Sequence, residues 1–463
     1  MRGTRVSCSA GGSRWPTRSS PPTWVGRRGR CARKPQEGHG KSQEATVPEP
    51  LEGIRVIELA RALQGPVAGQ YLADMGADVI KVEPALGDAN RQIRGVGDDG
   101  FEGGFGTQFV SANRGKRSLW LDLRLHASIQ ILRKLISGAD VFMSNYLEPS
   151  LDAMGLGYES LRGENPNLIY ALVNGYGPVG PDAAKRMLDG AASARSGLYH
   201  VTGPSDGGPM MPGTTLADTA GAMQLALGIM TALTARERHG GSQRVDVSAL
   251  GAQLWLQMWE IDTASLTGQR LQRRGAHSDN IHGTYGLYET GDGGAIMIAN
   301  VNDEETWVAL CNFAGLHDLI VDPRFDTVQK RAGRPPSTPA VANEVRPYLA
   351  DAFKAKTTAE WMTFLAGLPE LVWDVVQDYH QVLDDPQVLA NQYLIEQEIP
   401  TYGKRRLVAN PVRLNGTPGP VKSPPPALGA HNEEILTSLG YDAATIGEVA
   451  EAARLALRQR LGI

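Results

Sequence analysis

Two five-residue echoes, GADVI at 76–80 and GADVF at 138–142, limit the possible folds of this 463-residue chain more than any other feature. Each closes a helix-like stretch, PVAGQYLADMG (66–76) and ASIQILRKLISGA (127–139), and each feeds a short apolar run, DVIKVEP (78–84) and DVFMSNY (140–146). The runs IRVIELA (54–60) and LWLDLR (119–124) precede those helices, so the order strand, helix, glycine turn, strand occurs twice. Adjacent parallel strands need a crossover of a dozen or more residues, usually a helix, and this order supplies one each time. The chain is therefore expected to build βαβ units around a mainly parallel sheet. LIYALVNGY (168–176) and RVDVS (244–248) read as further strands of it.

Past Arg270 the period changes. TYGLYET and AIMIANV alternate in polarity around GDGG (291–294), which signals a hairpin, and helical stretches such as TTAEWMTFLAGL follow. A Pro/Gly-rich segment, 409–429, then leads to HNEEILTSLGY and a terminal helix. The fold class read from this is α/β: a large Rossmann-like parallel-sheet domain formed by 47–269 and 401–463, an inserted smaller α+β domain at 270–400, and a basic tail at 1–46.

The tail carries eight Arg and two Lys against Glu37 and Glu44, and subtracting its net +8 from the formal −4 of the whole chain leaves −12 for the rest. A body that acidic is a poor grip for nucleic acid, so anionic ligands must meet a local basic pocket. The tail is Arg- and Ser-rich, as targeting presequences are, yet its prolines and lack of an apolar face favour disorder or an over-extended start. Cys8 and Cys31 lie in the tail and Cys311 stands alone in the body, which suggests a reducing, cytoplasmic setting without disulfides. The nine histidines have no partner at ligand spacing, so no metal site is expected. The most apolar run, 220–235, is broken by Gln224 and is too short to span a membrane, so it is expected to be a buried helix.

Two motif matches fail on context. GVGDDG (95–100) fits G-x-G-x-x-G, but no strand precedes it and Asp98 with Asp99 would repel a pyrophosphate. GPSDG (203–207) fits G-x-S-x-G, but Pro204 and the following GPMMPG do not make a strand–turn–helix elbow. The stretch PGTTLADTAGAMQLALGIM (212–230) is more informative: small residues lead to one carboxylate, Asp218, and then to a long apolar run ending near Arg236, Arg238, His239 and Gly240. That polarity suits a helix whose first turn holds Asp218. As a structural residue Asp218 would merely complement the helix dipole. As a reagent it would be held ionised by free N–H groups in a partly desolvated pocket, able to attack a carbonyl.

LEGIRVIELARALQGPVAGQYLADMGADVIKVEP, NRGKRSLWLDLR, MGLGYESLRGENPNLIYALVNGYGPVGP, ALTARERHGGSQRVDVS, DDPQV and HNEEILTSLGY occur in order between 51 and 441. Together they resemble the class III CoA-transferases, of formyl-CoA transferase and carnitine CoA-transferase type, a family that also contains the α-methylacyl-CoA racemases. The resemblance implies coenzyme A as substrate and carried group with no tightly bound cofactor, an acyl-CoA and a small carboxylic acid as partners, and two interlocked chains in a homodimer. It implies that Asp218 is the covalent nucleophile and that Asp189 stands beside the reacting acyl group. Leu63, Leu121, Arg124, Asn145, Tyr146, Met154 and Arg186 fall where relatives line the CoA channel. Where relatives carry two arginines this chain has Leu147 and Ala153, for which Arg124, Arg186, Arg114, Lys116 and Arg117 are expected to compensate. In the racemases, position 188 resembles a histidine paired with the aspartate; here it is Leu188, which does not titrate, and Asp189 next to it is expected to point away from Asp218. Transfer of CoA between carboxylates is the reading this favours, with racemisation and a non-catalytic acyl-CoA-binding member of the fold as alternatives.

Overall fold

A computed structural model describes residues 48–96, 105–415 and 422–461; the basic tail and most of GVGDDG lie outside them. Strands β1 (Arg55–Leu59), β2 (Asp78–Glu83), β3 (Arg117–Trp120), β4 (Val141–Ser144), β5 (Ile169–Asn174) and β6 (Gln243–Ser248) form one sheet in the order β3-β2-β1-β4-β5-β6. Every pairing in it is parallel. The inner strands β4 and β5 read as nearly continuous apolar runs because the sheet is covered there on both faces, whereas the edge strand β6 is polar and only partly buried. On one face Ile57, Ile80, Phe142 and Tyr170 pack against Ile131, Leu132 and Leu135 of helix α2 (His126–Ser137). On the other, Val56, Val79, Val141 and Ile169 meet Leu72 of α1 (Gln64–Asp74) and Leu225 and Ile229 of α4 (Leu216–His239). Between α2 and α4 lies the short α3 (Asp189–Arg195), and after β6 come α5 (Ala249–Leu256) and α6 (Met258–Thr267).

The two GADV echoes do turn from helix to strand, but with different backbones. Gly76 sits at φ 102°, a conformation that only glycine adopts without strain, whereas Gly138 caps α2 at φ −104°. Helix α4 is longer than its apolar run suggests: it extends through polar residues at both ends to 24 residues, so length does not exclude a membrane span. Its inner face, with Ala222, Ala226 and Ala232, is packed into the fold.

A second sheet, β7 (Gly286–Glu289), β8 (Ala295–Ile298) and β9 (Trp373–Val375), is antiparallel in the order β7-β8-β9. It has its own core, in which the Phe353 and Trp361 rings stack at 3.9 Å. Cys311 is buried there, and burial pushes its thiol up to about 12, so it is not a reactive group. Strands β10 (Leu394–Ile399) and β11 (Gly403–Val408) pair as a hairpin across residues 400–402, and Ile399 packs on Phe105 and Val110.

Candidate active site

In the sheet order, chain direction reverses sideways between β1 and β4. In open parallel sheets the crevice at such a switch point, beyond the carboxyl ends of the strands, is where ligands sit. A small cleft lies there, lined by Ala62 and Gln64 after β1, Asn145 and Leu147 after β4, and Asn174 and Gly175 at the end of β5. Lys185, Arg186, Leu188 and Asp218 also line it.

The loop after β1 is held from three directions. Asn145 Nδ2 donates to the Arg61 carbonyl at 2.6 Å, and its Oδ1 accepts the Arg61 N–H at 3.0 Å. The buried Lys81 ammonium donates to the Ala60 carbonyl at 2.8 Å. Asp88 Oδ1 accepts the Ala62 N–H at 3.2 Å. These bonds keep Ala62 at φ 66°, a left-handed conformation unfavourable for a residue with a Cβ, and so set where Gln64 starts α1. Lys81 and Lys116 share the buried Glu58, at 2.9 and 2.7 Å, beneath this loop.

Asp218 occupies the first turn of α4, whose N-cap residue Thr215 makes no side-chain cap. Asp189, at the start of α3, supplies the missing acceptor: its Oδ1 takes the Asp218 N–H at 3.0 Å. The expectation that Asp189 turns away is thereby corrected. The loop leading into α3 brings the carboxylate back against the α4 terminus, where an unsatisfied donor attracts it. A second correction follows from this contact. Instead of being held strongly ionised by the helix end, the Asp218 carboxyl is raised to about 6, first by burial and then by the negative charge of Asp189.

Of the residues implied by the resemblance, Asn145, Arg186 and Asp218 meet in the cleft, with Asp189 behind Asp218 and Leu63 at the N-cap of α1. Leu121 is fully buried in the main core, and Met154 and Tyr146 pack against that core, with the Arg61 guanidinium 5.1 Å from the Tyr146 ring. Arg124 binds its neighbour Asp122 at 2.8 Å and is not in the cleft. The NRGKR cations are also spent internally: Arg114 on Asp74, Lys116 on Glu58, Arg117 on Asp78 and Glu434. They do not replace the charges missing at Leu147 and Ala153. The cleft's positive charge comes from Lys185 and Arg186, and Arg186 makes no ion pair among the described residues. Lys185 and Gln64 escaped the sequence reading. Position just beyond the carboxyl end of β1, in RALQGP, was the available signal for Gln64.

The chain matches the model of CoA-transferase family III over residues 51–432. A succinyl-CoA:glutarate CoA-transferase of Homo sapiens is 32% identical over 406 residues, covering 87% of this chain and 89% of its own. A succinyl-CoA–D-citramalate CoA-transferase of Chloroflexus aurantiacus is 33% identical over 396 residues, covering 85% and 94%. Among solved structures, a CAIB/BAIF family protein from Brucella suis superposes with a TM-score of 0.73 at 28% identity, over 85% of this chain and all of that one. With the doubly wound sheet, the switch-point cleft and its carboxylate described, these matches across most of the length identify the chain as a CoA-transferase, a member of CoA-transferase family III.

Proposed function

We propose that this CoA-transferase moves coenzyme A from a short dicarboxylyl-CoA thioester to a free dicarboxylate, with Asp218 as the covalent nucleophile. The observation that carries this is the placement of one partly desolvated carboxylate at a helix head inside a cleft whose free charges, Lys185 and Arg186, are positive. Those cations suit either the distal carboxylate of the acyl group or a phosphate of the carrier. The dicarboxylate class is further supported by the relatives' names, which specify succinyl-CoA with glutarate or D-citramalate.

The chemistry proceeds by exchange at two carbonyl carbons. An Asp218 oxygen attacks the thioester carbonyl, the C–S bond breaks, and CoA thiolate leaves an aspartyl anhydride. The thiolate then attacks the Asp218 carbonyl carbon, releasing the donor acid as a carboxylate and leaving an aspartyl-CoA thioester. The acceptor carboxylate attacks that thioester to give a second anhydride and thiolate. The thiolate finally attacks the acceptor's carbonyl, yielding the new acyl-CoA and regenerating the Asp218 carboxylate. Racemisation would need titrating groups on opposite faces of a substrate carbon. Leu188 does not titrate, and Asp189 is tied to the main chain of Asp218 itself.

The outer faces of α4, α5 and α6 expose Met223, Leu227, Trp255, Leu256, Trp259 and Leu266, an apolar surface suited to a second copy of the chain. The segment 270–400 is read as the smaller, inserted domain, and Cys311, a free thiol buried among the described residues, suits a reducing, cytoplasmic setting. The functional test is to incubate the protein with succinyl-CoA and glutarate and follow glutaryl-CoA by mass spectrometry. Transfer that falls at least about a thousandfold in Asp218→Ala is expected. Undiminished transfer in that variant would remove Asp218 from the mechanism, and no transfer to any four- to six-carbon dicarboxylate would remove the substrate class.

A further inference from the structure

Gln64 stands out among the buried polar groups of the cleft. Its side chain is 5% exposed, it lines the cleft that holds Asp218, and its Nε2 has no hydrogen-bond partner among the described residues. A buried amide donor left without an acceptor is costly, so its position calls for a partner that arrives with the reaction. The space it occupies is defined by helix α4. Gly221 lies one turn beyond Asp218, and a Cβ built there would overlap the Gln64 amide nitrogen. A helical side chain covers the turn N-terminal to its own Cα, so the patch that residue 221 would cover is the one around Asp218. Glycine vacates that patch and the Gln64 amide fills it. The amide is delivered there by the strained Ala62 loop and its bonds to Asn145, Asp88 and Lys81.

We infer that Gln64 is a catalytic residue whose Nε2–H donates to the oxygen that develops negative charge on the Asp218 carbonyl carbon. The inference rests on the covalent Asp218 mechanism proposed above and adds to it a specific oxyanion donor. When thiolate attacks that carbon in the anhydride, the C=O electron pair moves onto its oxygen. The Gln64 amide proton, turning to that oxygen within the shared cleft, stabilises the charge until the C–O bond to the donor acid breaks, and it acts again when the acceptor carboxylate attacks the thioester. The main-chain N–H of Asp218 is not available for this, because Asp189 accepts it. Gln64 thus acts on the steps at the enzyme's own carbonyl rather than on binding of the acyl-CoA.

The test uses the full chain, succinyl-CoA and glutarate, with the Asp218–CoA adduct trapped by hydroxylamine or borohydride and mapped by mass spectrometry. Gln64→Ala and the isosteric Gln64→Glu are expected to lower kcat by about 10²–10³-fold, as loss of one oxyanion donor does, with KM for succinyl-CoA changed less than threefold. Gly221→Ala, which leaves the donor in the chain but displaces it, should show a similar kcat loss. The double variant Gln64→Ala with Gly221→Ala should be no slower than either single one, because both remove the same interaction. Melting temperatures within a few degrees of the parent exclude misfolding. Retention of kcat within threefold in Gln64→Ala, with the adduct still forming on Asp218, would overturn the role of Gln64 while leaving the covalent mechanism standing. A loss confined to KM would likewise overturn it. Absence of any Asp218 adduct in the parent chain would overturn the covalent mechanism, and the Gln64 role with it.

Discussion

A carboxylate that must attack has to be ionised yet poorly solvated, and Asp218 is caught between those demands. Its proton affinity is raised to about 6 by burial and by Asp189, so the fraction able to attack falls as pH drops through that value. The acidic limb of kcat/KM is therefore expected near pH 6, well above that of an ordinary aspartate. Asp189→Asn keeps an oxygen to accept the Asp218 N–H but removes the negative charge. It should move that limb to lower pH, only partway because burial remains the larger cause. A limb that stays fixed or moves to higher pH in pH–rate profiles would contradict the contact. The head-of-helix place of Asp218 was legible, since small residues, an acid and an apolar run ending in basic residues define a helix N-terminus. Its electrostatics were not. The helix dipole alone argues for a low value, and the opposing neighbour arrives from a separate helix through a loop whose course no local pattern encodes.

At the scale of elements, the site depends on how the ends of β1, β2 and β3 are fastened. Glu58 on β1, Lys81 on β2 and Lys116 just before β3 form a fully buried cluster, extended by Asp88, which binds Lys81 at 2.9 Å. Burial is the largest influence on Lys116 and lowers it to about 8; Lys81 stays raised because Glu58, Asp88 and Glu83 outweigh the same penalty. Removing one member leaves uncompensated buried charge, so Glu58→Gln should destabilise the chain by about 3–5 kcal/mol in chemical denaturation. A change below about 1 kcal/mol would show that the cluster does not hold the strands. Adding Lys116→Met to Glu58→Gln should recover part of the loss. The strands were readable as apolar runs. Lys116, with Arg114 and Arg117, was expected to compensate for the arginines missing at Leu147 and Ala153, because a sequence shows that a lysine lies next to a strand, not that a glutamate from another strand lies opposite it. LWLDLR is a related case: only its first two residues remain in β3, and Asp122 turns out to bind Arg124.

For the whole molecule, paired βαβ grammar predicted a parallel sheet but not the order β3-β2-β1-β4-β5-β6, which depends on where the crossover to β4 lands. That order creates the switch-point cleft, so the cleft was not legible in the sequence, although Asp218, which lines it, was. The apolar outer face of α4 to α6 belongs to the same scale. Trp255 and Trp259 are 61% and 53% exposed, and a homodimer covering them is expected in light scattering, twice the 49.7 kDa of one chain. Trp255→Glu with Trp259→Glu should shift the protein toward monomer, and a monomeric parent chain at micromolar concentration would contradict the proposed assembly. The most direct measurement is of the covalent bond. The protein is incubated with succinyl-CoA in deuterated water without acceptor, treated with borohydride, and its 212–236 peptide sequenced by mass spectrometry. The expected result is a modified Asp218 that is absent from Asp218→Asn, with no deuterium at the acyl α-carbon. Unmodified Asp218 accompanied by rapid α-deuteration would contradict CoA transfer through this residue and point to proton exchange instead.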